Sequence, residues 1–481
     1  MLFQAFRKVV DSYPNKIAVM TIEGEQYTYL DLLHTVQSQV AGLRAAGINP
    51  GDIVSTWLDN SISYVSLLLS LAALGAIHCP INRLTSKDRA AHRFATVKPV
   101  LLISSDGSCP SDNAPITLSL QQILREPQEL DHDCVPQTGI FRMQETSGST
   151  GTPKLAMWRQ DKMLHEIEHW VASASISSSD IAFNLHTLDG GHAVDLHVLP
   201  ALLSGGTLVL GDMESPKKTL RAISDSQATV ISALPQQYKM LCEAAEETGI
   251  NQLPNLRLPM CGGGYLSDLV VQESYDKLGI LIRRIYGSTE FGMILANFEP
   301  IIQIGCGMHP VGDVTIRLEP LSPENATVGE IVAKSTHCGS GYFGKHDQER
   351  SESGWYHTGD VAKQINRQTF MPIGRLSDSL NTLQGVIFAP QFEEILDAKV
   401  SLAQVVVLSE KNNMSQDHAT IVVQPINQDD RAKTDKEIRK IMASYGISGS
   451  LHMVESIPMT PTGKPDKPLL RCYSNNTDKH R

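Results

Sequence analysis

Between Ile17 and Leu210 the chain repeats one arrangement, a short apolar run of four or five residues followed by a longer segment whose apolar positions recur at helical spacing. This alternation constrains the fold more than any other feature, because strands alternating with amphipathic helices bury both faces of a sheet in a layered α/β architecture. Ile17-Ala18-Val19-Met20 predicts a strand, and Thr28 predicts the cap of a helix whose apolar positions Leu30, Leu33, Val36, Val40 and Leu43 run to Gly47. Residues 54–58, 100–103 and 207–210 extend the strand set. The most apolar stretch, 62–77, is interrupted by Ser63, Ser66 and Ser70 and is short for a bilayer crossing, so it predicts a buried helix and no membrane partner. Residues 104–115, dense in Ser, Asp, Gly and Pro, predict a loop, and no internal repeat is evident.

At 481 residues the chain predicts a large domain plus a smaller one. After Arg375 the texture changes to a compact α+β pattern, with strands at 405–408 and 420–423 and a helix at 435–445, which sets a boundary near 374–378. The net charge of −11 argues against a nucleic-acid partner held by a general positive field. Any phosphate site must then be locally basic or built from backbone donors. Eight scattered cysteines without a CxxC pair fit reduced thiols, and the first residues lack a secretory pattern, so a cytoplasmic location is expected.

One stretch carries chemistry on its face: Thr146-Ser147-Gly148-Ser149-Thr150-Gly151-Thr152-Pro153-Lys154. Glycines let consecutive backbone N–H groups converge on an anion, hydroxyls add donors, and the lysine supplies a mobile positive charge. The apolar run 139–143 just before it predicts that the loop leaves a strand end. The spacing is not that of the usual nucleotide P-loop, since Pro153 stands five positions after Gly148 and no Lys-Ser pair follows. A flexible Ser/Thr/Gly surface loop is the plain alternative.

Four further motifs accompany it: Tyr286-Gly287-Ser288-Thr289-Glu290, Gly354-Trp355-Tyr356-His357-Thr358-Gly359-Asp360, Gly374-Arg375 and Pro461-Thr462-Gly463-Lys464. Together with the loop they closely resemble, in order, the motifs of the AMP-forming adenylate ligases, the superfamily of acyl-CoA synthetases, peptide-synthetase adenylation domains and beetle luciferases. The resemblance implies a large N-terminal α/β domain (1–374) that binds ATP and acid, a hinge (375–378), and a small mobile α+β lid (379–481) carrying the catalytic Lys464. It further implies that Thr146, Ser147, Gly148, Ser149, Thr150, Gly151 and Lys154 hold phosphates. Tyr286, Gly287 and Ser288 would meet adenine with the bare backbone of Gly262, Gly263 and Gly264, and Thr289 would meet a phosphate. Glu290 would bind Mg²⁺, and Asp360 and Arg375 would lie beside the ribose. Each of these alone suits an ordinary turn; Asp in Thr-Gly-Asp often is one.

The implied reaction is ATP-dependent activation of a carboxylic acid to an acyl-adenylate, with release of pyrophosphate, followed by transfer to a thiol of CoA or a phosphopantetheinyl carrier protein. Amide formation with an amine acceptor, a stand-alone amino-acid adenylation domain, a luciferase-like oxygenase and a silent binding module remain as alternatives. The segment 190–196 matches the substrate-pocket segment, giving His192, Ala193 and Leu196, with Met293, as acid-pocket residues. A histidine at 192, where amino-acid-activating members tend to place an aspartate, argues against an α-amino acid, although Asp189 or Asp195 could restore an amine contact. The hinge departs from the family pattern: Ser377 stands where an aspartate is common, with Asp378 next, Asn381 replaces a lysine, and Leu383-Gln384 stands where thioester-forming members commonly have glycine, with Gly385 one step on.

A rival motif is His165-Glu166-Ile167-Glu168-His169, which satisfies the H-E-x-x-H pattern of zinc peptidases. No third ligand is visible before Asp189, so a helix packing behind the phosphate loop is the expected reading.

Overall fold

A computed structural model describes residues 1–111, 115–130, 139–146, 154–299, 306–344, 354–400, 402–411, 417–426, 431–460 and 463–476. Its contacts divide the chain into two compact units: residues 1–306, 310–315 and 334–351, and residues 307–309, 316–333 and 352–481.

The first unit is built on two sheets. Eight strands of one run in the order Gly292–Ala296, Arg283–Ser288, Leu258–Cys261, Val230–Ala233, Ile181–Asn184, Thr207–Leu210, Ile17–Thr21 and Gln26–Thr28, parallel except between the first two and the last two of these. The other runs Ile116–Ser119, Leu101–Ser104, Ile53–Trp57, Ile77–Pro80, Ile140–Glu145 and Leu155–Arg159, with only the last pair antiparallel. Their inward residues share one apolar core with the helices Leu2–Ser12, Tyr29–Ala45, Ile62–Leu74 and Gln160–Ser173. A second core lies with Pro216–Asp225, Pro235–Thr248 and Asp268–Leu278 on the first sheet. This layered α/β arrangement is the expected fold.

Local sequence explains the elements. Thr28 accepts from the Asp31 N–H while Asp31 Oδ2 accepts from the Thr28 N–H at 2.9 Å, a reciprocal cap that starts Tyr29–Ala45. The apolar stretch at 62–77 becomes the helix Ile62–Leu74, capped by Ser61 and stopped by Gly75, with Ser63 alone escaping full burial. Each leucine so buried is worth about 1.5–3 kcal/mol of transfer free energy before chain entropy is subtracted. No helix among the described residues is long and apolar enough to cross a membrane.

In the second unit the strands Thr315–Pro320, Val328–Lys334, Tyr356–Asn366 and Thr369–Arg375 form a sheet. Leu402–Lys411, Asp417–Pro425 and Gly449–Met453 form another, covered by Ala389–Lys399 and Arg431–Tyr445 around Phe392, Val407, Ile421 and Ile438. The strands and helix expected after Arg375 are present, each longer than its apolar run.

Candidate functional site

Parallel α/β sheets place ligands at the carboxyl ends of their strands, and Thr146, Gly262 and the Tyr286 turn lie at such ends. Ile140–Glu145 ends just before Thr146, and Leu155–Arg159 starts just after Lys154. The Thr146 N–H donates to the Lys154 carbonyl at 2.8 Å, so the antiparallel pair closes the base of the intervening loop. The expected departure from a strand end is therefore observed, while Ser147, Gly148, Ser149, Thr150 and Gly151 lie outside the described residues.

The segment Tyr286 to Glu290 forms the turn between Arg283–Ser288 and Gly292–Ala296, with Gly287 exposed and the other four half-buried. Three contacts fix the turn. The Trp158 indole N–H donates to the Thr289 carbonyl at 2.8 Å, the Phe291 N–H meets Ser288 Oγ at 3.2 Å, and Tyr342 donates its hydroxyl to Glu290 Oε1 at 2.9 Å. The Tyr342 ring also lies 4.7 Å from Lys154 Nζ, so one phenol bridges a carboxylate and an ammonium. Tyr342 is held in turn by pairing of residues 340–343 with Leu155–Arg159. A half-buried single carboxylate suits Mg²⁺, which takes one or two protein carboxylates and completes its shell with water and substrate phosphates. Glu290 fits that demand by the chemistry of its donor.

Gly292 is the fixed point of this hairpin. Its φ of +92° disfavours a side chain, and a Cβ there would lie 2.3 Å from Glu166 Oε1. Glu166 uses that oxygen to accept from the Met293 N–H at 2.9 Å. Burial, with nearby Asp195 adding to it, raises the Glu166 carboxyl well above the usual range, and burial pushes Asp195 up to about 6. The glutamate of the H-E-x-x-H motif thus faces the core as a structural acceptor. The expected helix, Gln160–Ser173, directly follows the strand after the loop.

Beyond Leu258–Cys261, Gly262 is buried against Ile285, while Gly263 and Gly264 are exposed as bare backbone at the strand end.

The acid-pocket candidates surround a feature that motif reading did not anticipate. His192 Nε2 is 2.6 Å from Ser232 Oγ, His186 Nε2 is 2.9 Å from the Ser232 carbonyl, and the Ser232 N–H donates to His197 Nε2 at 2.9 Å. Three imidazoles thereby engage every polar group of one serine. The carbonyl contact requires His186 to carry its proton on Nε2, and the N–H contact requires His197 to carry it on Nδ1. Burial drives His197 down to about 3, so it is neutral at ordinary pH. His197 lies in the π-helical turn Val194–Val198, a widened turn that separates Gly191–Ala193 from Leu199–Ser204. Ala193, Leu196 and Met293 are buried in the same apolar core. Asp189 is engaged through both oxygens by the Asn82 amide, at 3.1 and 3.0 Å, and buried Arg142 holds the carbonyls of Leu188 and Asp189. The run of histidines at 186, 192 and 197 marks the segment in the sequence, though at no helical spacing.

In the second unit Asp360 and Arg375 are cross-strand partners, and Arg375 Nε donates to Asp360 Oδ1 at 2.7 Å. Thr358 shapes the approach, accepting from the Asp360 N–H while donating to the Ile331 carbonyl, and Glu330 accepts from the Gly359 N–H. Lys464 closes a turn in which the Thr460 N–H donates to its carbonyl and its own N–H donates to Thr460 Oγ1. Pro461 and Thr462 lie outside the described residues. Leu376–Asp378 is a single 3₁₀ turn, and buried Asp378 pairs with Lys467 at 2.5 Å. Ser379–Thr382 and Gly385–Phe388 then form a hairpin with exposed Leu383 at its tip.

The family described as AMP-binding enzyme matches residues 6–343. A feruloyl-CoA synthase of Amycolatopsis sp. is 26% identical over 92% of this chain and 92% of its own length. A 2-succinylbenzoate–CoA ligase of Bacillus cereus is 24% identical over 94% of each chain. Among solved structures, ATP-bound MatB from Rhodopseudomonas palustris has the same fold, with a TM-score of 0.84 at 20% identity over 99% of this chain and 100% of its own. With the match spanning residues 6–343, most of the chain, this protein belongs to the AMP-binding enzyme family.

Proposed function

We infer that the chain is an AMP-forming carboxylate ligase: it activates a carboxylic acid with ATP to an acyl-adenylate and transfers the acyl group to the thiol of CoA. The observation that carries this reading is the arrangement of Glu290, Tyr342 and Lys154 at the closed base of the loop. It brings a carboxylate and a cation to one phenol, next to the residue that ends the hydroxyl- and glycine-rich segment. The names of the relatives, CoA synthase and CoA ligase, favour CoA over a carrier protein or an amine.

A carboxylate is a poor acyl donor because its leaving group would be oxide. Attack of its oxygen on the α-phosphorus expels pyrophosphate and leaves a mixed anhydride, with negative charge growing on the phosphate oxygens. Fixed donors and cations lower that barrier. Lys154 and the loop bind the departing phosphates, Thr289 donates to a phosphate oxygen, and Tyr286 with Gly262 to Gly264 receives adenine. Asp360, oriented by Arg375, accepts from the ribose hydroxyls. Lys464, delivered by the lid 379–481 through the hinge 375–378, neutralises the incoming carboxylate and the α-phosphate together. Mg²⁺ held by Glu290 would supply further charge neutralisation on the phosphates.

The acid is one without an α-ammonium group. His192 is engaged with Ser232, Asp189 is taken up by Asn82, and Asp195 is buried, with its carboxyl pushed up to about 6. Acid-dependent exchange of labelled pyrophosphate into ATP, run over fatty, aryl, hydroxy and amino acids, tests the reading. Exchange with an aryl or fatty acid, and thioester formation on adding CoA, supports it. Exchange confined to amino acids, or none despite ATP binding, overturns it.

A further inference from the structure

Another cluster of the first unit has no part in this chemistry. His169 on Gln160–Ser173, Asp313 and His337 converge from three separate segments. His169 Nδ1 and His337 Nδ1 are 3.2 Å apart, and Asp313 Oδ1 lies 3.5 Å from the first and 3.3 Å from the second. These distances describe a nearly equilateral triangle. A tetrahedral zinc ion with bonds of about 2.0–2.1 Å requires ligand atoms about 3.3–3.4 Å apart, so the three donors occupy one face of such a tetrahedron without rearrangement. Two imidazole nitrogens at 3.2 Å can share only one hydrogen, whereas a cation satisfies both lone pairs and the carboxylate at once.

We propose that His169, Asp313 and His337 form a zinc-binding site that ties the helix behind the phosphate loop to the segments around residues 313 and 337. The supports expected of a metal site are present. Asp313 Oδ2 accepts from the Thr336 N–H at 3.1 Å and from its hydroxyl at 2.5 Å, which turns Oδ1 toward the imidazoles. Gly312, with φ +58°, packs so closely that a Cβ would lie 2.6 Å from His169 Cβ and Cγ. His337 is fully buried, while the side chains of His169 and Asp313 are 27% and 33% exposed, which leaves a solvent side for entry and a fourth ligand. His165 stacks on His169 with ring centroids 5.3 Å apart and contributes no atom to the triangle. The H-E-x-x-H motif therefore contributes one ligand, not two. Ser335 Oγ, 2.7 Å from His337 Nδ1 and 2.5 Å from Asp313 Oδ1, is the competing partner. A purely hydrogen-bonded cluster would depend on it.

The test uses the tag-free full chain, stripped with chelator, dialysed against Zn²⁺ and analysed by elemental mass spectrometry, with Co²⁺ substitution read by visible spectroscopy. One equivalent of zinc, a tetrahedral Co²⁺ spectrum, and a melting temperature raised by Zn²⁺ are expected. His169→Gln and Asp313→Asn should lose the metal, and His165→Gln and Ser335→Ala should keep it, circular dichroism confirming that all four fold. Absence of stoichiometric metal in the unmodified chain overturns the site. So does retention in Asp313→Asn or His169→Gln, and so does loss in His165→Gln.

Discussion

Tyr342 offers the sharpest test of the nucleotide site, because two of its contacts are separable by substitution. Tyr342→Phe removes the 2.9 Å hydrogen bond to Glu290 and leaves the ring beside Lys154, whereas Tyr342→Leu removes both. A hydrogen bond to a charged group is worth about 1.5–3 kcal/mol when buried, and half-burial at Glu290 brings this to about 1–2 kcal/mol. Loss of Tyr342→Phe activity should then be roughly 5–30-fold in kcat/KM for pyrophosphate exchange. Loss of the cation–π contact adds about 0.5–1 kcal/mol in Tyr342→Leu, a further factor of roughly 2–5. Because residues 340–343 are paired through the backbone to Leu155–Arg159, neither change should move the melting temperature much. The assay is exchange at varied Mg²⁺ and ATP with the acid saturating. Equal rates for Phe and Leu would remove the role of the ring, and a Phe variant within two-fold of the parent would refute the hydrogen-bond argument.

Other outcomes follow from the same geometry. Lys464→Ala should abolish acyl-adenylate formation while ATP binding, read by calorimetry, persists; retained adenylation would remove Lys464 from the chemistry. His192→Asp should change the order of acids accepted in the exchange panel, and an unaltered order would take His192 out of the pocket. His197, at about 3 in the fold against 6.5 for a free imidazole, takes up its proton on unfolding throughout that interval, so stability falls as pH drops from about 6.5 toward 3. Between pH 6.5 and 5 this is about 2 kcal/mol, and His197→Gln, which keeps an acceptor for the Ser232 N–H, should show that much less loss in urea unfolding. Parallel pH curves for the two proteins would contradict it.

The layered fold was legible because its signals are local: short apolar runs alternating with period-3.6 patterns, and Thr28 as a cap. The candidate motifs were legible because phosphate and ribose recognition needs particular residue types in short runs. Tyr342 escaped because its partners, Glu290 and Lys154, are distant in sequence, and an isolated tyrosine after Gly341 carries no local mark. The imidazoles around Ser232 escaped for a related reason, since a π-helical turn shifts His197 off the helical spacing by which residues 192 and 197 would be compared. Glu166 satisfied a metal-motif pattern, but the expected reading was a packing helix, and its burial beside Gly292 agrees with that reading. His169 joins Asp313 and His337 only through tertiary packing, beyond the reach of any spacing rule.

The bond from the Thr146 N–H to the Lys154 carbonyl fixes the two ends of the loop whatever lies between them. Doubling the length of a loop whose ends are already pinned costs only about 0.6 kcal/mol of closure entropy. Lengthening the chain between these two ends therefore adds little closure entropy, and its consequence falls chiefly on turnover. A homologue that had lost catalysis there would express, melt and crystallise like its active cousins, and only a turnover assay would reveal that it had fallen silent.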